Sequence, residues 1–268
     1  VLETLRGHSV FGALERAAEA ERALYSAGGR VTYFCDRYML DVLTDTTERG
    51  PTFSLPPFRA RGEAGAPSWA FVKNPLYDTE EAWTRCFGRA PRCIEWRTRE
   101  EAGLPGAGAV RIGREALYGF TVGREPMPER EGAGNAAIWA GLDAPPETYR
   151  EAAARCGVSY LLLPEGTGRT LPPTSMAIFE HLLMKLAMND LSTGTMAALG
   201  YITGNYMTCL NISNKKLVDR GARIVARLCG LDYADACREL FYSELRLRET
   251  GAEDSPVRLT LERLRGGG

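Results

Sequence analysis

Residues 136–163 read AAIWAGLDAPPETYREAAARCGVSYLLL. The apolar runs at 136–142 and 158–163 suit parallel strands covered on both faces. Between them, residues 146–156 carry charged and apolar side chains at helical spacing. Strand, helix and strand in succession are the unit of a parallel sheet with helices on its faces.

The alternation extends toward the N-terminus. Residues 2–27 follow a helical pattern that Gly28-Gly29 stops, and RVTYFC at 30–35 reads as a buried strand followed by a helix to about residue 44. Residues 69–73 form a short strand, 78–88 a helix opened by a capping Asp78, and RCIEWR at 92–97 a third strand. The Pro-, Arg- and Gly-rich stretch at 54–67 reads as a loop, and 103–108 as a glycine-rich turn. Residues 109–124 fit either extra strand or an irregular excursion, and REPMPEREGAG at 124–134 is the best candidate for a mobile loop. Beyond residue 170 the pattern is helical, over 174–198, 215–229, 233–245 and about 257–265. The expected fold is a three-layer α/β/α sandwich around a mostly parallel sheet, followed by a helical C-terminal part. In such sheets ligands bind beyond the carboxyl ends of the strands, here the turns at 36–38, 74–76, 141–144 and 165–168.

A chain of 268 residues with 44% hydrophobic and 25% charged side chains buries a core as one large domain or one and a half. Its net charge of −1 argues against a general nucleic-acid surface. No apolar run approaches the roughly 18 residues that a membrane span requires. The opening VLETLRGHSV, without initiator Met or signal-like core, reads as a fragment or processed chain. Seven scattered cysteines without a C-x-x-C point away from disulfides and zinc and toward a reducing cytoplasm. His8 and His181 are the only histidines, so no metal site is expected. GEAG at 62–65 and GAG at 106–108 and 132–134 do not compose a dinucleotide or P-loop signature, and no cofactor is expected.

Candidate binding groups concentrate in residues 174–230. Asn214, Lys215 and Lys216 open the helix at 215–229, where free backbone N–H groups and two lysines make an anion site. The plainer reading is a cap by Ser213 or Asn214 with solvated lysines. Ser192 and Thr193, within STGT at 192–195, either bind an anion or belong to a capped bend. Glu180 and His181 are adjacent, about 100° apart on a helix, so at most one faces a given pocket. Arg169 and Lys185 are further possible phosphate partners with no motif behind them.

LSTGTMAALGYITGNYM (191–207), ISNKKLVDRGARIV (212–225) and CGLDYADACREL (229–240) resemble the N-acetylmuramic acid 6-phosphate etherase family. They also resemble the second sugar isomerase (SIS) domain of the glucokinase regulatory protein. DTTERGPTF at 45–53 is similar to the etherase stretch D-A-S-E-C-P-P-T-F. The resemblance implies the SIS fold over 1–212 with a helical extension at 213–268 packing on it or on a partner. It implies Asn214 and Lys216 as contacts to a sugar phosphate and Glu48 as an acid/base, although pairing of Glu48 with Arg49 or Arg37 at the surface is the plainer account. Glu180 and His181 match the residue types that sugar-phosphate isomerases use for proton transfer.

Where the etherases have the glycine- and serine-rich loop G-A-G-T-S-G-R, this chain has FCDRYML at 34–40. Bulky Phe34, Tyr38 and Met39 do not let backbone N–H groups close on a phosphate. The later A-S-G-R-T turn is replaced by GLDAPP at 141–146. The expectation is therefore a carbohydrate-derivative-binding SIS domain, regulatory or catalytically degenerate, in a tandem or dimeric SIS assembly. Its partners would be a sugar phosphate and another SIS domain. The alternatives are an active lyase or isomerase using Glu48, with phosphate held by groups such as Arg37 and Lys73, and a structural protein-interaction module.

Overall fold

The structure, a computed structural model, describes residues 1–92, 94–96, 98–101, 110–252 and 254–266. The glycine-rich turn expected at 103–108 lies outside them. Helices α1 (Leu2–Arg6) and α2 (His8–Ser26) lead into β1 (Val31–Phe34), α3 (Met39–Phe53), β2 (Ala70–Lys73) and α4 (Thr79–Phe87). A separate antiparallel pair, β3 (Ile94–Trp96) and β4 (Val110–Ile112), and α5 (Arg114–Tyr118) follow. The expected strand–helix–strand unit is β5 (Gly132–Trp139), α6 (Glu147–Ala153) and β6 (Cys156–Leu161). The chain ends in α7 (Ile178–Ala198), a hairpin of β7 (Ile202–Thr203) and β8 (Tyr206–Met207), and helices α8 (Lys215–Cys229), α9 (Tyr233–Thr250) and α10 (Pro256–Gly266).

Four parallel strands in the order β2-β1-β5-β6 make the central sheet. Val31 stands beside Ala70 and Ala136, and Ala136 beside Val158. Side chains alternate across the sheet, so Val31, Tyr33 and Ile138 share one face and Phe34, Ala137 and Trp139 the other. The first face packs with Leu14, Val42, Leu183 and Met184 from α2, α3 and α7 in the main core. The second packs Phe34, Ala137 and Trp139 on Tyr149, Ala152 and Ala153 of α6. This is the expected three-layer sandwich.

The local signals act as the sequence suggests at several ends. The Asp78 carboxylate accepts from the Glu81 N–H and caps α4, while Gly88 closes it at φ 66°. Thr174 Oγ1 accepts from the Ile178 N–H, so α7 starts four residues later than the expected 174.

Four expectations are corrected. RCIEWR does not join the parallel sheet, because its strand pairs with β4 instead. The helix after β1 continues to Phe53, through Pro51, and therefore contains Glu48 rather than preceding it. Pro51 gives up its own N–H bond to the preceding turn, and the helix ends two residues later at Phe53. Helix α7 runs through Ser192–Thr195 without the bend considered for that stretch. Segment 124–134 is not a wholly solvated loop, because Arg130 is buried and clamps the sheet. Its Nε donates to Thr32 Oγ1 at 3.1 Å, Nη1 to Ser68 O at 2.9 Å, and Nη2 to Val31 O at 2.8 Å and Trp69 O at 3.0 Å.

Helices α8, α9 and α10 share a core of their own, with Leu217, Ile224, Val225, Leu240, Val257 and Leu261. A Cβ on Gly221 would meet Val257 at 3.0 Å and Leu240 at 3.1 Å, so glycine permits the close helix approach. The Ser255 hydroxyl bonds Thr208 O and Leu210 O at 2.9 Å, and Ser54 donates to Cys209 O at 3.2 Å, tying these helices to the sheet layers. Among the described residues no helix is long and apolar enough to cross a membrane.

Candidate functional site between α3 and α7

Helices α3 and α7 meet along a polar seam. Asp41 Oδ2 lies 2.6 Å from His181 Nδ1 at the end nearest the carboxyl edge of β1. One turn on, Lys185 Nζ donates to Thr44 Oγ1 at 3.1 Å and lies 4.0 Å from Glu48 Oε2. Further along, Ser192 Oγ donates to Asp45 Oδ2 at 3.0 Å. The contacts follow the i, i+3, i+4 recurrence of one face on each helix.

Beneath the seam lies a buried ionic network. Arg49 is 4% exposed and donates from Nε to Asp45 Oδ1 at 3.0 Å, with Glu21 Oε2 3.4 Å from Nη1. Its other donors reach the Tyr33 and Tyr25 hydroxyls at 3.1 and 3.4 Å. Glu21 also accepts from Thr195 Oγ1 at 3.1 Å and from the Tyr33 hydroxyl. Burial pushes the Glu21 carboxyl up to about 7, against the opposing pull of Arg49. Burial also works against the Arg49 cation, but Glu21 and Asp45 outweigh it and hold the guanidinium charged. The DTTERGPTF motif thus supplies both Asp45 and Arg49 to the network, and Arg49 is spoken for by buried partners rather than by Glu48.

Glu48 points the other way. Its side chain is 73% exposed and lines a cleft of about 540 Å³ with Asn189, Ser192, Thr193, Thr52 and Met207. Hydroxyl, amide and carboxylate groups beside one lysine suit a polyhydroxylated ligand, and an exposed carboxylate can take up or release a proton there. This cleft gathers three of the candidate residues, Glu48, Ser192 and Thr193.

The remaining candidates lie elsewhere. Asn214 Oδ1 accepts from the Leu217 N–H at 3.0 Å, so its side chain caps α8. Lys216 is exposed and lines a neighbouring groove of about 660 Å³ with Tyr206, Arg220, Arg223 and Arg227. Asn205 and Met207 line both the groove and the cleft, which places Lys216 one hairpin away from Glu48. Ser213 lines a third hollow with Gly50 and Pro51. Glu180 and His181 diverge as their spacing requires: His181 meets Asp41 and the Tyr38 ring at 5.2 Å between centroids, while Glu180 Oε2 is buried with no hydrogen-bond partner among the described residues.

Beyond the carboxyl ends of β1 and β5, Phe34, Tyr38 and Met39 are all buried. Trp139 Nε1 donates to Asp143 O at 2.9 Å, and a Cβ on Gly141 would fall 2.5 Å from the Trp139 ring. Arg37 Nη1 lies 3.9 Å from Asp143 Oδ2 across the turns. Arg37 is therefore engaged with Asp143 rather than with Glu48.

Sequence reading missed Asp41, Asn189 and the partnership of Glu21 with Arg49. The i, i+4 spacing of Asp45 and Arg49 was a usable signal for half of that network. The other contacts span 12 to 174 positions along the chain and have no local signature.

No protein-family model matches the chain. An N-acetylmuramic acid 6-phosphate etherase of Porphyromonas gingivalis (strain W83) is 26% identical over 250 residues, 91% of this chain and 83% of the relative. The etherase of Synechococcus sp. (strain CC9605) is 32% identical over 232 residues, 84% of this chain and 66% of the relative. That of Serratia proteamaculans is 28% identical over 255 residues, 94% and 77% respectively. With this similarity along most of its length and a parallel α/β/α sandwich to carry it, the chain belongs to the sugar isomerase (SIS) domain family and resembles its N-acetylmuramic acid 6-phosphate etherases.

Proposed function

We propose that the chain binds a phosphorylated sugar in the α3–α7 cleft as a regulatory or catalytically degenerate SIS domain, working with a second SIS domain. The observation that carries this reading is a contrast between two sites. The turns at the strand ends are packed with Phe34, Tyr38 and Met39, whereas the cleft with Glu48, Ser192 and Thr193 stays open. A phosphate needs close approach of backbone N–H groups or cations, and the filled turns offer little of either. Lys216, with the N–H groups that open α8, would add charge-assisted bonds to a phosphate shared with the partner domain. Residues 213–268 then serve as the helical extension that presents this corner. The six described cysteines are free thiols, which suits a reducing compartment such as the cytoplasm.

A second reading, an active lyase on a phosphorylated amino sugar, is favoured by the exposure of Glu48 within the cleft and by the etherase names of the relatives. Glu48 would move a proton at a sugar carbon, a contribution of about 10²- to 10⁴-fold for a positioned acid/base. Lys185 at 4.0 Å is the cation nearest to it, whereas Lys73 lines a cavity on the opposite face of the sheet.

Calorimetry with N-acetylmuramic acid 6-phosphate and fructose 6-phosphate, followed by an assay for turnover, tests both. Saturable binding without turnover is the expected result, with weaker binding by a folded Lys216→Met. Turnover lost in Glu48→Gln would establish the lyase instead.

A further inference from the structure

Lys73 and Arg130 have no part in the cleft, yet both are 4% exposed cations with neutral partners. Lys73, the last residue of β2, shares a sheet face with Phe34, and its ammonium donates to the backbone oxygen of Glu125. All four bonds of Arg130 go to carbonyl or hydroxyl oxygens. No carboxylate lies within ion-pair distance of either cation among the described residues. The Glu125 carboxylate is taken by the Thr79 N–H and hydroxyl at 2.8 and 2.9 Å, and that of Glu131 by Arg155 at 2.9 Å.

Burying a charge beside neutral dipoles alone leaves much of its desolvation cost standing. Burial accordingly pulls Lys73 down to about 8 and Arg130 to about 10, against the opposing pull of Glu125, Glu131 and Glu129 on Lys73 and of Tyr25, Glu129 and Cys156 on Arg130. The two cations line a cavity of about 330 Å³ with Phe34, Met127, Ala152 and the exposed Thr148 of α6, and the charged residues Arg124, Arg155, Glu125, Glu131 and Glu151 also border it. That volume lies at the small end of ligand sites. On this sheet face the cover is the 124–131 segment and α6, so the cavity is separated by the sheet from α3 and α7.

We infer that this cavity is a second binding site, for a compact dianion such as a phosphate monoester or a small dicarboxylate. Glu131 is paired with Arg155 and Glu125 is bonded to Thr79, so Lys73 and Arg130 are the buried lining cations left with neutral partners, and two such cations favour a dianion over a monoanion. The apolar wall leaves room for only a short carbon body.

The test is thermal denaturation of the full chain in inorganic phosphate, malonate or acetate at matched ionic strength. Saturating phosphate or malonate is expected to raise the Tm by about 5 °C and acetate by much less. The larger of the two dianion responses tells phosphate esters from dicarboxylates. Lys73→Met should lose the response. Thr148→Trp, which leaves both cations in place and blocks the mouth, should lose it too, and it carries the test if Lys73→Met does not fold. Glu48→Gln and Lys185→Met should keep it, which separates this site from the phosphosugar cleft. An equal shift in wild type and Thr148→Trp would be a general salt effect and would overturn the assignment. A response to acetate matching that to the dianions would overturn it as well.

Discussion

The turns beyond β1 and the cleft between α3 and α7 lie along the same pair of helices, yet one is packed and the other open. At the turns, Tyr38 and Met39 are buried, and Asp41 and His181 pair with each other. Farther along, Asp45 and Arg49 turn inward to Glu21 while Glu48 turns outward. The difference teaches that one helix face is devoted to holding α2, α3 and α7 together and the adjacent face to the open cleft. A structural role thus accounts for Arg49 and Asp45 and leaves Glu48 without one, since an exposed pair with Lys185 contributes at most about 1 kcal/mol.

The largest effect should come from the inward face. Arg49→Met leaves two buried carboxylates without a counter-ion and should cost about 3–5 kcal/mol. Thermal denaturation should show a Tm about 10 °C lower or more. Retention of the wild-type Tm would mean that the network does not hold the helices.

The next effect is on pH dependence. Glu21 has its pKa raised by burial from 4.5 to about 7. Over that interval the folded chain keeps a proton that the unfolded chain has released, so stability present below about pH 4.5 is lost as the pH rises through about 7. Glu21→Gln should flatten the stability profile across this window, as denaturant titrations at successive pH values would show. An unchanged slope would place the titration elsewhere.

At the start of α8, Asn214→Ala removes a cap and should cost about 1 kcal/mol. Lys216→Met should change stability by less than about 0.5 kcal/mol, since its side chain is exposed. Equal losses in the two variants would show that the lysine is structural. A stability change as small as that of Lys216→Met, below about 0.5 kcal/mol, is expected for the exposed Glu48→Gln, together with a clear loss of phosphosugar affinity or turnover.

Much of the fold was legible because it is written in local patterns. The apolar runs at 136–142 and 158–163 supply the second half of β5 and the latter part of β6, and the capping groups Asp78 and Asn214 sit where helices begin. RCIEWR was misplaced because an apolar strand run does not say which edge it will pair with. The helix expected to end near residue 44 continues to Phe53 because Asp45 and Arg49 are buried by partners on α2 and α7 rather than by an apolar stripe of their own. Of the site, the motif residue Glu48 and the pair Ser192 and Thr193 could be named in advance. The closeness of Glu21 to Arg49, or of Asp41 to His181, arises only from how three helices pack.

The most direct test is calorimetric titration of N-acetylmuramic acid 6-phosphate into wild type, Thr193→Trp and Thr148→Trp. Thr193 is an exposed residue lining the α3–α7 cleft, so its replacement obstructs that site while leaving the buried network intact. Saturable heat in wild type and Thr148→Trp, lost in a folded Thr193→Trp, is the expected result. Undiminished binding by Thr193→Trp, or no binding by wild type, would contradict the account.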